Sequence, residues 1–251
     1  MTDSQLQKHI YKLHLALYRE LNDIHIFMAH TIPLLKQTTD RYSAMPGKAD
    51  KPFLVPSSKG KKGVAKRTPK EVASIFENFA NRGLHANMLV SCVSRLESML
   101  NDVLRAYLSK YPEKLSVGLK GGESAKTVPI ATVIEAEDIK ELRRTIANTR
   151  LQGVFYAEPK EYLAYFENIT GVKLPESAFL SFVEIKATRD LVIHNDGIVN
   201  ELYKKKAGDL SRAEVNKTIP LNETYFASSI SAMKAISSAI EKQVKSGSAP
   251  A

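Results

Sequence analysis

The stretch LVSCVSRLESMLNDVLRAY, residues 89–107, carries the clearest periodic pattern in this chain of 251 residues. Its apolar positions step along the chain by three or four residues: Leu89, Val93, Leu96, Leu100, Val103 and Tyr107. This spacing aligns them on one face of an α-helix, and Pro112 ends the run. The pattern therefore predicts a long buried helix over about 80–110, against which the other elements pack.

Three further segments repeat apolar residues at helical spacing, over about 4–35, 176–195 and 222–245. Pro33 is expected to end or kink the first of them. Helices that share one apolar centre form a bundle. We therefore predict an all-α fold, a helical bundle of four to five core helices that forms a single domain over 1–245.

Shorter elements connect these helices. Helices are predicted at 71–79, 135–148 and 159–168. Thr68 followed by Pro69 is typical of a helix N-terminus, because the threonine side chain caps the helix and proline fits its first position. Residues 116–129 carry no clear period and predict a loop. Residues 127–134 are β-branched but few, so they favour at most an edge strand, and the polar tail 246–251 is expected to be disordered.

The positive charge of the chain is concentrated in one segment. Ten basic and two acidic residues lie between Lys36 and Lys70, so this window carries +8 of the net charge of +9. Prolines and glycines in it predict a flexible basic loop over 43–70, inserted in the bundle. One interpretation is an arm that binds the phosphate backbone of RNA, and the other is a solvated loop that maintains solubility. The first interpretation assigns nucleic-acid binding to Lys59, Lys61, Lys62, Lys66 and Arg67.

The residue inventory argues against several classes of protein. Cys92 is the only cysteine, which excludes an internal disulfide and a cysteine-rich zinc site. Four histidines on the first helix lack the steps of three or four that helical metal ligands need; they are His9, His14, His25 and His30. There is no glycine-rich phosphate loop, no signal peptide and no apolar run of about 20 residues. We therefore expect a cytoplasmic protein with no metal, no cofactor and no membrane span.

The segment KATRDLVIHNDG, residues 186–197, is the strongest candidate for a functional site. Arg189 is followed by four residues and then by His194. The spacing alone has little weight, because it arises by chance in a chain of this composition, and Arg19 and His25 form a second match. The context distinguishes the first pair: an apolar-rich helical stretch leads into the arginine, and three apolar residues precede the histidine.

This segment resembles the R-x(4–6)-H motif of the HEPN superfamily, whose members are helical bundles and often dimers. Many relatives have asparagine after the arginine, whereas this chain has Asp190, a variant that the superfamily also uses. Asn195 follows the histidine, and Glu97 matches an acidic position of several HEPN branches. The branch paired with minimal nucleotidyltransferases usually has tyrosine two residues after its histidine, where this chain has Asp196. The resemblance is best over 159–203 and does not place the chain in that branch.

The resemblance implies a metal-independent endoribonuclease, of the kind found among toxins and defence effectors. It makes Arg189 and His194 the catalytic residues, with Asp190, Asn195 and Glu97 supporting them. The partners it implies are RNA, a second copy of the chain, and an antitoxin or regulatory protein.

The chemistry of RNA cleavage suits these residue types. Without a metal, the reaction needs a base for the 2′-hydroxyl proton, an acid for the leaving 5′-oxygen and positive charge at the phosphorane, and it leaves a 2′,3′-cyclic phosphate. Histidine and arginine meet these needs. Five residues at about 100° each place Arg189 and His194 roughly 140° apart around a straight helix. Either the last turn unwinds before His194, or a second copy completes the site across a two-fold axis.

Two other hypotheses remain open at this point. The first is a HEPN-like dimer that binds RNA or a partner protein without cleaving anything. The second is a helical scaffold in which the motif is structural, with Arg189 paired to a carboxylate such as Glu97 and His194 capping its helix.

Overall fold

A computed structural model of the chain describes residues 1–47, 49–119, 127–155 and 157–247. In these residues the helices and strands are, in order, α1 (Asp3–Ser43), β1 (Lys51–Pro56), β2 (Lys62–Arg67), α2 (Pro69–Asn78), α3 (Leu84–Lys110), α4 (Ile130–Glu135), α5 (Ile139–Phe155), α6 (Pro159–Thr170), α7 (Glu176–His194), α8 (Glu201–Ala207) and α9 (Glu223–Lys245). The chain is mostly helical, which confirms the predicted all-α class. None of the described helices combines the length and the apolar character needed to cross a membrane.

Helix α3 lies at the centre of the bundle and packs against α1, α5, α6, α7 and α9. All six of its predicted apolar positions, from Leu89 to Tyr107, are at most 4% exposed. Burying an aliphatic or aromatic side chain of this size contributes about 1.5–3 kcal/mol. The prediction of a long buried helix is therefore confirmed, and α1, α7 and α9 complete the core around it.

Helix α1 is longer than predicted, because Pro33 lies inside it and the helix continues to Ser43. A proline inside a helix costs about 3 kcal/mol through the lost hydrogen bond and the clash of its ring. Pro33 is exposed, and the segment after it packs against α2, where the ring of Tyr42 stacks on that of Phe76 with centroids 6.1 Å apart. These contacts stabilise the extension, so the prediction that the helix ends near residue 35 was wrong.

The predicted flexible basic loop is also wrong over most of its length, because β1 and β2 form an antiparallel hairpin. Leu54 pairs with Val64, and the two prolines of β1, Pro52 and Pro56, lie in an edge strand, where their missing N–H groups leave no ladder bond unmade. The hairpin segment holds six cations and two prolines, which interrupt the alternation of apolar and polar residues that is typical of a strand. The sequence pattern therefore did not predict strands. Lys48 lies outside the described residues.

Other local predictions have mixed outcomes. The capping of α2 is confirmed, since the Thr68 side chain accepts a hydrogen bond from the backbone N–H of Glu71 and Pro69 begins the helix. Gly171 ends α6 in the left-handed conformation, with φ of 70°. The edge strand considered at 127–134 is wrong, because residues from Ile130 onward form α4. Residues 120–126 of the predicted loop and 248–251 of the predicted tail lie outside the described residues.

A buried carboxylate ties the C-terminal third of the chain together. The side chain of Glu184 on α7 is only 5% exposed. Its Oε1 accepts hydrogen bonds from the hydroxyls of Thr188 and Tyr203, both at 2.7 Å, and from Nε of Arg212 at 3.0 Å. Its Oε2 accepts one from the hydroxyl of Tyr225 at 2.9 Å. The carboxylate therefore has four donors, one of them a cation.

The guanidinium of Arg212 completes this network. Its Nη2 donates to the Thr188 hydroxyl at 3.0 Å, and its Nη1 donates to the carbonyl of Pro220 at 2.5 Å. The guanidinium carbon also lies 3.4 Å from the centre of the Tyr225 ring. The loop between α8 and α9 is thus held against α7 by one arginine.

The sequence Asn-Glu-x-Tyr begins both α8, at 200–203, and α9, at 222–225. In each copy the asparagine side chain accepts a hydrogen bond from the backbone N–H of the tyrosine, at 2.9 Å. Burial raises the pKa of both tyrosines, which keeps their hydroxyls protonated as donors to Glu184. The repeated tetrapeptide therefore caps two helices and directs both to the same carboxylate.

We expect Arg212→Met to lower the free energy of unfolding by about 3 kcal/mol, because it leaves the Glu184 charge buried without a counter-ion. The matched control is Arg95→Met, which breaks the 2.7 Å ion pair with Glu20. The Arg95 side chain is 56% exposed, and such surface pairs contribute at most about 1 kcal/mol. Urea denaturation at pH 7 measures both changes; equal losses in the two variants would contradict the role given to Glu184.

Candidate functional site

The candidate motif lies at the C-terminal end of α7, which a tight turn terminates. The backbone N–H groups of Asn195 and Gly197 both donate to the carbonyl of Leu191, at 2.9 and 2.8 Å. Asp196 and Gly197 have φ values of 49° and 71°, a conformation in which glycine is favoured. The Asn195 side chain donates to the carbonyl of Ile198 at 2.5 Å. Asn195 therefore supports the turn after His194.

The guanidinium of Arg82 lies directly over Gly197. A Cβ atom at this position would lie 1.9 Å from Nη2 of Arg82. The same nitrogen is 3.5 Å from the carbonyl oxygen of Asp196. The π-helical turn Phe79–Gly83 that carries Arg82 is thus packed against the end of α7.

Arg189 is held by carboxylates on two sides. Its Nη2 donates to Oε2 of Glu97 at 2.9 Å, and its Nε lies 3.5 Å from Oδ1 of Asp190. The side chains of Arg189 and Glu97 are only 18% and 17% exposed. The Arg189–Glu97 pair that the structural hypothesis predicted is therefore present, and the two sequence-predicted residues are in contact.

Two lysines extend this pair into a chain of alternating charges. Nζ of Lys186 lies 2.8 Å from Oε1 of Glu97, and Nζ of Lys206 lies 3.2 Å from Oδ2 of Asp190. The resulting cluster holds three cations and two carboxylates, so it keeps a net positive charge. Helical spacing helps it to form, since Lys186 precedes Arg189 by three residues and Asp190 by four on α7.

His194 is exposed and lies four residues after Asp190, at the last position of α7. Within the described residues its ring has no hydrogen-bond partner. The last turn of α7 is bonded by backbone N–H groups of the following turn, so the structural hypothesis that His194 caps the helix is wrong. The structure brings Arg189, Asp190 and Glu97 together and leaves the histidine exposed at the end of α7.

The five cations assigned to nucleic-acid binding are all exposed, on the β-hairpin and its turn. Residues 52, 54, 56, 62, 64 and 66 share one face of the ribbon, so Lys62 and Lys66 lie on either side of the exposed pair Leu54 and Val64. On the other face, the ammonium of Lys51 lies 5.2 Å from the centre of the Tyr42 ring. This contact attaches the base of the hairpin to the end of α1.

The described residues contain no group of three histidine, cysteine or carboxylate side chains that could hold a metal ion. Cys92 is buried in the core, and burial raises the pKa of its thiol to about 12. A thiol of this pKa is protonated at neutral pH and is a poor nucleophile. Cys92 therefore contributes to the core and not to a reactive site.

Sequence reasoning missed four polar residues of this region: Glu184, Lys186, Lys206 and Arg212. Lys186 was detectable from its helical spacing to Arg189. Glu184 had an indirect signal, because the Asn-Glu-x-Tyr repeat places two tyrosines at equivalent positions of two helices. The sequence carried no signal for Lys206 and Arg212, because both residues bind side chains of other elements.

No protein-family model matches the chain, and neither does any curated protein or solved structure. The fold and site therefore define the protein only as a mostly helical one, with a basic hairpin and a charged cluster at the end of α7.

Proposed function

We propose that the chain is a metal-independent endoribonuclease of HEPN type, with His194 and Arg189 as its catalytic residues. The observation that carries the proposal is an exposed histidine at the end of α7, one helical turn after Asp190 of a cluster of net positive charge. A solvent-exposed imidazole can exchange a proton with an RNA 2′-hydroxyl or 5′-oxygen. The neighbouring cations attract the phosphate between these two atoms.

The ion pair to Glu97 determines how Arg189 takes part. The Glu97 carboxylate binds one nitrogen of the guanidinium and so fixes the orientation of this planar group. The remaining charge of the cluster supplies attraction for a phosphate. In this proposal Glu97 is a positioning residue, and Lys186 and Lys206 compensate for the two carboxylates.

A homodimer completes the proposal, because one helix directs Arg189 and His194 to different sides. Ile193, next to the histidine, is 48% exposed in the last turn of α7. A large exposed apolar side chain at this position suits a two-fold contact that brings two copies of the motif together.

A second candidate function is a HEPN-like dimer that binds RNA or a partner protein without cleavage. The observation that favours it is the enclosure of Arg189 by Glu97 and Asp190, which lowers the positive charge available to a phosphorane. The experiments below separate the two candidates.

We expect the wild-type protein to cleave total RNA in the presence of EDTA and to leave 2′,3′-cyclic phosphate ends. His194→Ala should lower the cleavage rate by about 10²–10⁴, the contribution of one general acid–base group. His30→Ala removes another exposed histidine, from α1, and should leave the rate unchanged. The measurement is single-turnover cleavage of an end-labelled RNA, with circular dichroism to verify folding.

Arg189→Lys keeps the charge but loses the planar fork of the guanidinium, so it should lower turnover while RNA binding remains.

Cleavage that persists in His194→Ala removes the histidine from the mechanism. RNA binding without cleavage by the wild type would favour the second candidate.

The hairpin should contribute binding rather than turnover. Replacing Lys59, Lys61, Lys62, Lys66 and Arg67 by glutamine should weaken RNA binding and leave the folded core intact, because all five side chains are exposed. Each lost contact to single-stranded RNA lowers the slope of log affinity against log salt by about 0.7. Five exposed lysines elsewhere serve as the control: Lys8, Lys12, Lys140, Lys242 and Lys245. An unchanged salt slope in the hairpin variant would mean that its charge serves only solubility.

We expect the protein to be a dimer at micromolar concentration and Ile193→Asp to make it monomeric and inactive. Ile139→Asp, at a site that is 58% exposed on α5, should change neither property. Multi-angle light scattering measures the mass of each variant. A wild-type monomer that cleaves RNA at full rate contradicts the two-fold site.

A further inference from the structure

A cavity of about 170 Å³ lies between α1, the start of α3 and the first turn of α9. Its apolar floor is formed by Met28, Ile32 and Phe226, and its rim carries the exposed side chains of Lys36 and Glu223. One wall is His85. The cavity therefore combines an apolar slot with one cation and one carboxylate at its mouth.

His85 is the unusual member of this lining. It is 4% exposed, and among the described residues neither of its ring nitrogens has a hydrogen-bond partner. Burial lowers the pKa of the imidazole, so the neutral ring offers one donor and one acceptor at pH 7. Leaving a buried polar group without a partner costs about 1–3 kcal/mol. A ligand that hydrogen-bonds to the ring would recover this energy.

One side chain, Arg82, links the helical segment that carries His85 to the turn after α7. His85 follows Arg82 by three residues, about one helical turn, and Arg82 packs on the Asp196–Gly197 turn that follows His194. A chain of contacts thus joins the His85 wall to the end of α7 through a single side chain.

We propose that this cavity is a nucleobase pocket that selects cytosine; the inference rests on the proposed ribonuclease function. The volume fits one ring, since a protein cavity of about 150 Å³ holds a benzene molecule. Among single-ring bases, cytosine carries an exocyclic amine, which a carboxylate accepts. Glu223 supplies this carboxylate, and Lys36 lies at the mouth to bind the phosphate of the same nucleotide.

The imidazole of His85 then bonds the base from inside the cavity. Both nitrogens are shielded from solvent, so the ring meets the cavity through other atoms. A half-turn about the Cβ–Cγ bond exchanges the positions of the nitrogens and ring carbons and leaves the ring outline unchanged. The turned ring donates its N–H to the O2 oxygen of the pyrimidine, an atom that cytosine and uracil share.

The test is isothermal titration of the full-length protein with cytidine and uridine 5′-monophosphates, which measures binding without catalysis. We expect the cytidine nucleotide to bind at least about tenfold more tightly, because one well-placed base contact contributes about 1–3 kcal/mol. Glu223→Gln should bring the ratio of the two affinities close to one, since the amide of glutamine can also donate a hydrogen bond to uracil. Glu201→Gln is the matched control, at the equivalent position of the other Asn-Glu-x-Tyr sequence, and should preserve it.

His85→Phe keeps an aromatic ring at this position and should weaken the binding of both nucleotides by a similar factor. Equal affinity for the two nucleotides, a preference that survives Glu223→Gln, or no binding of either at millimolar concentration would each overturn the pocket. The failure of the ribonuclease proposal is a different result, namely cytidine nucleotide preference without RNA cleavage. Cleavage without the preference overturns the pocket alone.

Discussion

The buried Glu184 carboxylate is the constraint on which the end of α7 depends. A carboxylate in a protein interior is stable only when its oxygens are fully hydrogen-bonded and its charge is compensated. Here α7, α8, α9 and the loop between the last two helices each contribute a donor. The position of α7 relative to the rest of the C-terminal third is therefore set by polar geometry as well as by apolar packing. The charged cluster around Arg189 begins two residues further along the same helix, at Lys186.

The two carboxylates that bind side chains of α7 differ in their burial. Glu184 faces the interior, where its partners are hydroxyls and one arginine, whereas Glu97 approaches from α3 at the surface and binds Arg189 and Lys186. The first arrangement holds helices together, and the second orients an arginine that stays partly exposed. The two networks share no residue.

The elements that follow from local patterns were predictable from the sequence, and those that follow from long-range contacts were not. The periodic run from Leu89 to Tyr107 defines α3, and Thr68 with Pro69 defines the start of α2. The continuation of α1 past Pro33 depends on the packing of Tyr42 on Phe76, residues 34 positions apart. At the site, Arg189 and Glu97 were identified together, while the contacts of Arg212 with Glu184 depend on a loop whose path no local pattern describes.

The β-hairpin has a consequence for the behaviour of the protein in concentrated solution. A two-stranded ribbon has two outer edges whose backbone groups are free to pair with a strand of another molecule, which is a route to fibrous aggregation. Pro52 and Pro56 on β1 offer no N–H to such a strand, and Lys62 and Lys66 on β2 repel a second copy that approaches in the same orientation. Lys62 and Lys66, whose charge would attract a polyanion, thus also oppose self-association through the edges of the ribbon.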